Sequence, residues 1–512
     1  MDVTFITANN SKKIYQDLAK THSAIEPPTW SLLLAQSCRS RGYKCSIIDA
    51  IAENLSIEET YLKIKLLNPK LVVFTVYGQN VNAGTTSMSG SIALANYLKE
   101  KKYDKPLVFI GSHVQALPIE TVNKEKSIDI ACTNEGVYTL HSLLKTNDYS
   151  EKNLESINGI CFRKNGQATL TLPEKIVPQE KMDIDLPGYA FDLLPFREKP
   201  FDLYRAPMWH AEYDDEKRTP YAAIQTSLGC MFGCDFCMIN IINRDDNEEI
   251  GVASRYSKMR YWSTGFIINE FKKLIEDYGV KTIRIIDEMF LLNPKYYKPL
   301  CEELGKLNLN DQLRLWAYSR VDTVKHKEIL NLVRRAGIKW LCLGIESGEK
   351  KIRLEISKGK FEEVDIKKVV EHVHDADIDI MANYIYGLPG DTLSTMKATL
   401  NLSKELCTLG WNTYTAMPLP GSKLYKDAIS QGQKLPETYE GYSFHSYDTH
   451  PLPTKNLSPR EILEFRDNAF TEYHLDKNFL AKLESKFGIK AVNNVKEMTK
   501  IKLRRKLLEA TS

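Results

Sequence analysis

The 512-residue sequence has almost no net charge and no long apolar run. Its 69 Lys and Arg residues nearly balance 66 Asp and Glu residues, which leaves a formal net charge of +3. A nucleic-acid clamp or a protein that binds anionic membranes would carry a basic excess, so both classes are disfavoured. No apolar stretch reaches the roughly 18 residues of a spanning helix, and Met1–Thr7 lacks the features of a secretory signal. We therefore expect a cytoplasmic protein with a small-molecule substrate, no nucleic-acid partner and no membrane span.

The sequence also lacks the cysteine patterns of disulfide-rich and zinc-binding proteins. In a reducing compartment its 10 cysteines do not indicate a disulfide framework, and seven of them are scattered, as is typical of small core residues. The other three, Cys230, Cys234 and Cys237, share one glycine-bearing loop. No fourth Cys or His follows closely, as a structural zinc site would require. Three thiolates on a cubane [4Fe-4S] cluster would instead leave one iron open for chemistry.

The order of apolar segments predicts an α/β fold with two sheets. Residues 1–145 alternate short apolar strands with helical segments, which favours a doubly wound, Rossmann-like parallel sheet. Residues 146–219 read as a connector with a hairpin at Asn165-Gly166. Residues 220–435 contain six longer strand–helix units, which favour a partial (β/α)6 TIM-like barrel, and residues 436–512 form a helical region. The candidate barrel strands are Tyr221–Thr226, Thr282–Ile286, Leu313–Tyr318, Trp340–Ile345, Ile380–Tyr386 and Thr413–Met417.

The cysteine loop and the ends of the barrel strands resemble the radical SAM superfamily. Cys-x-x-x-Cys-x-x-Cys, with an aromatic residue before the last Cys, is similar to the signature of that superfamily. Polar or glycine-rich elements end the other predicted strands: Asp287-Glu288, Ser319-Arg320, Gly344-Ile345-Glu346, Gly387-Leu388-Pro389 and Pro418-Leu419-Pro420-Gly421. Barrel active sites are built at the C-terminal ends of strands, so these elements are expected to converge with the cysteine loop.

The resemblance implies a [4Fe-4S] cluster on the three cysteines and S-adenosylmethionine (SAM) chelated by the fourth iron. Glu288 or Asp287 would stand near the methionine amino group, and which of the two does so is open, because the commoner Gly-Gly-Glu motif is replaced by Ile286-Asp287-Glu288. The SAM-binding residues implied in this way are Phe236, Asp287, Glu288, Ser319, Arg320, Glu346, Gly387, Leu388 and Pro389.

A doubly wound domain ahead of such a barrel resembles the cobalamin-binding subclass of this superfamily. The matching segments are Pro27-Pro28, Gly42–Ala50, Ile110–His113, Asn134–Gly136 and Asp183–Pro187. No Asp-x-His-x-x-Gly motif occurs, so the resemblance implies cobalamin with no protein imidazole on cobalt. A flavodoxin-like domain without cofactor is the other interpretation, and the lack of Gly-x-Gly-x-x-Gly after a strand disfavours nicotinamide binding. The cobalamin-binding residues implied are Thr75, Tyr77, Gly78, Gln79, Gly111, Ser112, His113, Glu135 and Gly136.

These resemblances together imply an enzyme similar to class B radical SAM methyltransferases. It would cleave SAM reductively at the cluster and, with cobalamin, methylate an unactivated carbon of a small molecule, with flavodoxin or ferredoxin as electron donor. The alternative is a cobalamin-associated cyclisation, oxidation or rearrangement without methyl transfer. RNA methylthiolation is disfavoured because the N-terminal cysteines lack a second cluster-binding triad. The aromatic residues Tyr384, Tyr386, Trp411 and Tyr414 are candidates for a substrate pocket, although filling of the barrel explains them equally well.

Overall fold

The computed structural model describes residues 1–77, 81–194, 203–206, 210–214, 216, 218–246, 248–357 and 364–509. Within these ranges the chain forms an N-terminal sheet, a curled parallel half-barrel and a helical C-terminal region. The fold class predicted from the sequence is thereby confirmed. No helix of the described ranges is long and apolar enough to cross a membrane.

The N-terminal sheet has the strand order β2-β1-β3-β4-β5-β6-β7. Its first five strands pair in parallel, and their residues are almost all buried because helices cover both faces. The strands are β1 (Val3–Thr7), β2 (Cys45–Asp49), β3 (Leu71–Thr75), β4 (Leu107–Ile110), β5 (Ile130–Cys132), β6 (Ile160–Lys164) and β7 (Gln167–Leu170). The helices are α1 (Ser11–Tyr15), α2 (Thr29–Ser40), α3 (Ile57–Leu67), α4 (Gly84–Glu100), α5 (Ser112–Ala116), α6 (Pro118–Lys124), α7 (Val137–Thr146), α8 (Glu151–Leu154) and α9 (Met182–Asp185).

The predicted hairpin is present, but it belongs to this sheet. β6 pairs antiparallel with β5, and β7 pairs antiparallel with β6. The sheet therefore continues to Leu170, past the residue 145 at which strand–helix alternation ends. Helices α7 and α8 separate β6 from β5, but β6 and β7 are joined by a two-residue turn without a helix, so strand–helix alternation ends before them.

The half-barrel is a parallel sheet with the order β8-β11-β12-β13-β14-β15. A separate antiparallel pair, β9 and β10, stands at its first strand. The strands are β8 (Tyr221–Ile224), β9 (Ser227–Gly229), β10 (Met259–Tyr261), β11 (Thr282–Ile285), β12 (Arg314–Arg320), β13 (Ile338–Glu346), β14 (Asp379–Tyr386) and β15 (Gly410–Thr415). The helices are α10 (Thr264–Tyr278), α11 (Pro294–Leu307), α12 (Lys327–Arg335), α13 (Lys350–Ile356), α14 (Ile366–Asp375), α15 (Leu393–Leu406) and α16 (Lys423–Ser430).

The C-terminal helices pack their apolar face against the last barrel strands. Tyr473 stacks on Trp411 with ring centroids 4.9 Å apart, and Phe465 meets Tyr386 edge to face at 5.1 Å. This contact explains why a largely polar region folds onto the barrel. The helices are α17 (Pro459–His474), α18 (Lys477–Phe487), α19 (Ile489–Lys500) and α20 (Lys506–Glu509).

Candidate active site at the mouth of the half-barrel

The cysteine loop begins where β9 ends, at the carboxyl end of the first barrel strand. Gly229 has a φ of +89°, and a Cβ there would lie 2.2 Å from the Lys258 carbonyl oxygen. Only glycine allows this close approach of β9 to the segment that leads into β10. The turn therefore places Cys230 at the mouth of the half-barrel.

Amide side chains of the chain itself shape the loop. Asn240 accepts a hydrogen bond from the Cys230 N–H at 2.8 Å and donates to the Cys230 carbonyl at 2.7 Å. Asn243 donates in turn to the Asn240 Oδ1 at 3.0 Å. At the other end of the loop, the N–H of Cys237 donates to the carbonyl of Cys234 at 3.1 Å. The backbone that carries the three cysteines is thus fixed by hydrogen bonds at both ends of the loop.

Each of the three thiols has donors or positive charge nearby. The backbone N–H of Phe232 donates to the Cys230 Sγ at 3.4 Å. Arg320 lies beside Cys234, and its charge lowers the pKa of that thiol against the larger effect of burial, which raises it. Asn82, from the N-terminal domain, donates to the Cys237 Sγ at 3.6 Å. These contacts suit thiolates, because positive charge and N–H groups stabilise negatively charged sulfur.

The three thiols of the loop are the donor set that a [4Fe-4S] cluster requires. In the described part of the chain, no three His, Cys, Asp or Glu side chains converge closely enough to hold one metal ion. The thiols are nonetheless neighbours: burial raises the pKa of Cys230, and the charges of Cys237 and Cys234 add to that rise. A cubane takes one thiolate on each of three separate irons, so its ligands need not converge on one point. The residues present therefore fit a [4Fe-4S] cluster.

The two carboxylates after β11 have different surroundings. Asp287 accepts from the Thr226 N–H, the Thr226 hydroxyl and the Ser227 hydroxyl, each at 2.6 Å. Glu288 is half-buried, and its buried Oε2 has no hydrogen-bond partner among the described residues. Burial raises the pKa of Glu288 to about 8, and its charge reaches Cys230 and Cys237. Asp287 thus fixes the turn before the cysteine loop, and Glu288 is the carboxylate left to meet a ligand.

Ser319 and Arg320 lie at the end of β12, as predicted, and both are engaged locally. Arg320 grips Asp322 with two hydrogen bonds of 2.6 Å, and its guanidinium carbon lies 3.8 Å from the centroid of the Phe232 ring. Ser319 shares a hydrogen bond of 2.7 Å with Thr323. The guanidinium is therefore a fixed positive charge over the cysteine loop, oriented by Asp322.

Glu346 ends β13 in a strained backbone conformation. Its φ is +66°, and the pairing of β13 with β14 shifts register between Gly344 and Glu346. Burial raises the pKa of Glu346 to about 7, and Arg320 partly offsets this effect. Left-handed backbone at a residue other than glycine is costly and concentrates at functional sites. The kink turns this carboxylate towards the same mouth of the barrel.

Phe236 and the segment after β14 meet on one apolar surface. Phe236 packs against an apolar cluster that includes Leu388, Ile352 and Ile356. Gly387 has a φ of +77°, and the N–H of Leu388 donates to Asp391 at 3.0 Å, which closes the turn. Pro389 is exposed. The structure thus brings together Phe236, Gly387 and Leu388, which the resemblance placed beside SAM.

In the N-terminal sheet, Thr75 and Tyr77 are both buried and bonded. The Thr75 hydroxyl lies 2.5 Å from that of Ser31, and Tyr77 accepts from Gln115 at 2.7 Å. Burial raises the pKa of Tyr77 well above its ordinary value. Gly78 and Gln79 lie outside the described residues.

The loop after β4 packs tightly against the end of β3. A Cβ on Gly111 would lie 2.2 Å from the Val76 carbonyl oxygen, so only glycine fits. Ser112 is fully buried at the start of α5. The His113 Nδ1 lies 3.1 Å from the Thr85 hydroxyl, and burial lowers the pKa of His113 to about 3. The same ring meets Tyr439 of the C-terminal region edge to face, with centroids 5.1 Å apart.

Glu135 joins the N-terminal sheet to the barrel. Its carboxylate meets Arg260 of β10 at 2.7 Å and accepts from the Val177 N–H at 2.5 Å, with both charged side chains at most 5% exposed. Gly136 follows with a φ of +84° at the start of α7. The structure gives the Glu135 carboxylate a partner in the barrel, whereas the sequence resemblance assigned it to a cofactor.

The inner face of the half-barrel carries a polar network that sequence reasoning missed. Arg284 of β11 pairs with Glu26, which also accepts from the Tyr221 hydroxyl. The Arg284 guanidinium lies over the rings of Trp316 and Tyr318, at 5.4 and 5.1 Å. Glu26 belongs to the N-terminal segment before α2, so that domain inserts a carboxylate into the barrel. The available signal was a lone arginine inside the apolar strand Thr282–Ile285.

The same network continues along the last two barrel strands. Asn383 donates to the Cys342 Sγ at 2.8 Å, and Asn412 donates to the Tyr414 hydroxyl at 2.5 Å. The Asn383 Oδ1 has no partner among the described residues. The other candidate pocket aromatics, Tyr384, Tyr386 and Trp411, are buried on the opposite face, against the C-terminal helices. Tyr414 is therefore the one of the four that shares the inner network.

Known proteins match the chain in both sequence and fold. Residues 224–403 match the Radical SAM superfamily. These residues form a radical SAM domain. The domain marks the protein as an enzyme and implies a [4Fe-4S] cluster and SAM as its cofactors, as predicted.

One relative and two solved structures extend the similarity beyond this domain. An uncharacterised methyltransferase of Pyrococcus horikoshii is 26% identical over 478 residues, or 92% of this chain and 94% of that protein. The radical SAM methyltransferase TsrM of Kitasatospora setae, solved with cobalamin and a [4Fe-4S] cluster, has a TM-score of 0.61 at 16% identity and covers 84% of this chain and 78% of its own. The cobalamin-dependent radical enzyme OxsB was solved with aqua-cobalamin and SAM. Its TM-score is 0.63 at 14% identity, and the match covers 97% of this chain and 72% of the OxsB chain. The fold is thus shared over nearly the whole chain.

Proposed function

We propose that the protein is a cobalamin-dependent radical SAM methyltransferase that acts on an unactivated carbon of a small molecule. The observation that carries this proposal is the contact between the N-terminal sheet and the cysteine loop. The loop after β3, where a doubly wound sheet binds ligands, reaches Cys237 through Asn82. A cofactor held at that edge would face the radical SAM site directly.

A small cavity lies at the N-terminal sheet. A cavity of about 320 Å³ opens between the loop after β1 and helices α3 and α4, lined by Asn9, Ser56 and Gly90 among others. Its lining comes from the segments after β1 and β2 and from α4. The strand order reverses between β1 and β3, and such switch points are where open parallel sheets bind ligands. The cavity supports placing the nucleotide tail of cobalamin there, with the loops after β3 and β4 nearer the ring.

When bound, the cluster and SAM supply a 5′-deoxyadenosyl radical, and cobalamin supplies the methyl group. The residues of the chain hold and orient these groups. Glu288, whose pKa is about 8, would gain its charge as the methionine ammonium approaches. The partly buried Phe236 ring, which packs on the apolar cluster around Leu388, offers an apolar surface for adenine, and Glu346 offers acceptors for the ribose hydroxyls.

The inner network of the barrel is the proposed substrate chamber. Arg284, Glu26 and Tyr221 form its polar wall on one side, and Asn383 and Tyr414 lie on the other. Burial raises the pKa of Tyr414, and the charge of Glu346 adds to that rise, so the chamber adjoins the SAM side of the site. Placing a substrate carbon between the two cofactors while excluding water is the protein's contribution to the reaction.

Methyl transfer is favoured over a radical reaction without it, since the relative over 92% of the chain is named a methyltransferase. The electron donor that we propose is a flavodoxin or ferredoxin, and the substrate is a small molecule rather than a nucleic acid. A cytoplasmic location stays a prediction from the sequence.

The test is cobalamin retention by the anaerobically reconstituted protein, followed by ultraviolet-visible spectroscopy after desalting. We expect about one cobalamin per chain, and transfer of an isotopically labelled methyl group from SAM to an acceptor when a reductant is added. Absence of cobalamin binding would overturn the methyltransferase proposal and leave the radical SAM domain unaffected. A product formed with deoxyadenosine but without added methyl would favour the cyclisation, oxidation or rearrangement alternative.

A further inference from the structure

Asn82 of the N-terminal domain contacts Cys237 with one end of its side-chain amide and Met238 with the other. It lies in a short helical turn, Val81–Ala83, between β3 and α4. Its Nδ2 donates to the Cys237 Sγ at 3.6 Å, and its Oδ1 accepts from the Met238 N–H at 3.1 Å. The amide is therefore oriented from both ends, with its N–H group aimed at the sulfur.

The three cysteines receive their donors from different parts of the chain. The Cys230 Sγ accepts from the backbone of its own loop, at Phe232. Cys234 lies beside Arg320 of the barrel. The side-chain donor to Cys237 comes from the N-terminal sheet, from a residue 155 positions away. The surroundings of Cys237 therefore depend on the domain that we propose to hold cobalamin.

An N–H group on a cluster thiolate acts on the reduction potential. Reduction adds a negative charge to the cluster, and part of that charge falls on the thiolate sulfurs. A donor to sulfur stabilises the reduced form more than the oxidised form and raises the potential. Removing the donor is expected to make the cluster harder to reduce.

We propose that Asn82 is a positioning residue through which the N-terminal domain raises the reduction potential of the cluster. The inference deepens the proposed function and rests only on its cluster, not on cobalamin or methyl transfer. If Asn82 acts in this way, reduction of the cluster depends on the contact between the loop after β3 and the cysteine loop.

The test is a redox titration of the anaerobically reconstituted protein, followed by electron paramagnetic resonance, with no SAM, cobalamin or substrate added. For Asn82→Leu we expect unchanged iron content and a lower midpoint potential. At the wild-type midpoint, the ratio of reduced to oxidised cluster should fall severalfold, and a tenfold fall would correspond to about 59 mV for one electron. Ser87→Ala is the control, because the Ser87 hydroxyl contacts only the Ala83 carbonyl of the same segment among its described hydrogen bonds.

Asn82→Asp distinguishes the effect of losing the hydrogen-bond donor from the effect of disturbing the loop. It keeps the shape and the acceptor for the Met238 N–H but replaces the N–H group by a carboxylate. We expect a midpoint below that of Asn82→Leu, and this variant decides the question if the leucine variant loads less iron. Midpoints equal to wild type in both variants, or an equal shift in Ser87→Ala, would overturn the proposal. Failure of cobalamin binding would leave this result untouched, so the two proposals fail separately.

Discussion

The two parallel sheets of this chain distribute polar side chains differently. The central strands of the N-terminal sheet, such as Leu71–Thr75 and Leu107–Ile110, are buried along their whole length. The barrel strands bury one face against helices and turn polar residues such as Arg284 and Asn383 inward. A sheet that is apolar on both faces can bind a ligand only beyond its strand ends. A curled sheet with a polar inner face can surround one, which is why we place the chemistry in the barrel.

Loss of one cluster cysteine is the largest effect that this comparison predicts. Cys234→Ala should abolish SAM cleavage, with deoxyadenosine formation down by at least about 10²-fold, because metal sites lose that much even from outer contacts. Cys161→Ala removes an equally small side chain from the buried face of the N-terminal sheet. That control should keep its iron and its activity. Iron content and deoxyadenosine are the measurements. Similar losses in both variants would refute the distinction between the three cysteines of the loop and the buried core cysteines.

Breaking the buried ion pair between the two regions is expected to cost about 3–5 kcal/mol of unfolding free energy. Arg260→Met leaves the buried Glu135 carboxylate without its cation. Lys327→Met, whose partner Asp375 is about half exposed, should cost at most about 1 kcal/mol. Denaturant unfolding of the reconstituted protein measures both. Equal costs would contradict a buried bridge between sheet and barrel, and Glu135→Leu combined with Arg260→Met should recover part of the loss.

The neighbouring carboxylates Asp287 and Glu288 should respond differently to neutralisation. Glu288→Gln is expected to weaken SAM binding about 10- to 100-fold, since a hydrogen bond to a charged group is worth about 1.5–3 kcal/mol. Asp287→Asn should lower the unfolding free energy instead, because it disturbs three hydrogen bonds to Thr226 and Ser227. Equilibrium binding of SAM to the cluster-loaded variants decides between them. Equal SAM affinity in Glu288→Gln and wild type would remove Glu288 from the site.

The smallest expected effect is on stability against pH, measured without cluster. Burial raises the pKa of Glu288 to about 8 and of Glu346 to about 7. The folded state then holds protons that the unfolded state releases near pH 4.5, so stability falls as pH rises from about 4.5 to 8. Glu288→Gln should raise Tm at pH 8 by about 1–3 °C and leave it unchanged at pH 4. Glu58→Gln, at an exposed position, should leave Tm unchanged at both pH values. A Tm difference for Glu288→Gln that does not depend on pH would contradict a raised pKa of Glu288.

The sequence predicted those features that depend on neighbours along the chain. The barrel strands lie within a few residues of their predicted bounds, because apolar runs and strand-end motifs are local signals. The cysteine loop was predicted for the same reason. Three contacts were not predicted, because their partners are 125 to 258 residues apart and only the fold brings them together. These are Glu26 with Arg284, Glu135 with Arg260 and Asn82 with Cys237. Our proposal that Glu288 rather than Asp287 meets SAM likewise rests on the hydrogen bonds that Thr226 makes to Asp287.

Formation of deoxyadenosine from SAM tests the central claim most directly. The protein is reconstituted anaerobically with iron and sulfide, reduced with dithionite and supplied with SAM, and the products are measured by mass spectrometry. The account predicts deoxyadenosine from the wild-type protein and background amounts from Cys234→Ala. A wild-type protein that carries its full cluster and forms no more deoxyadenosine than Cys234→Ala would contradict it.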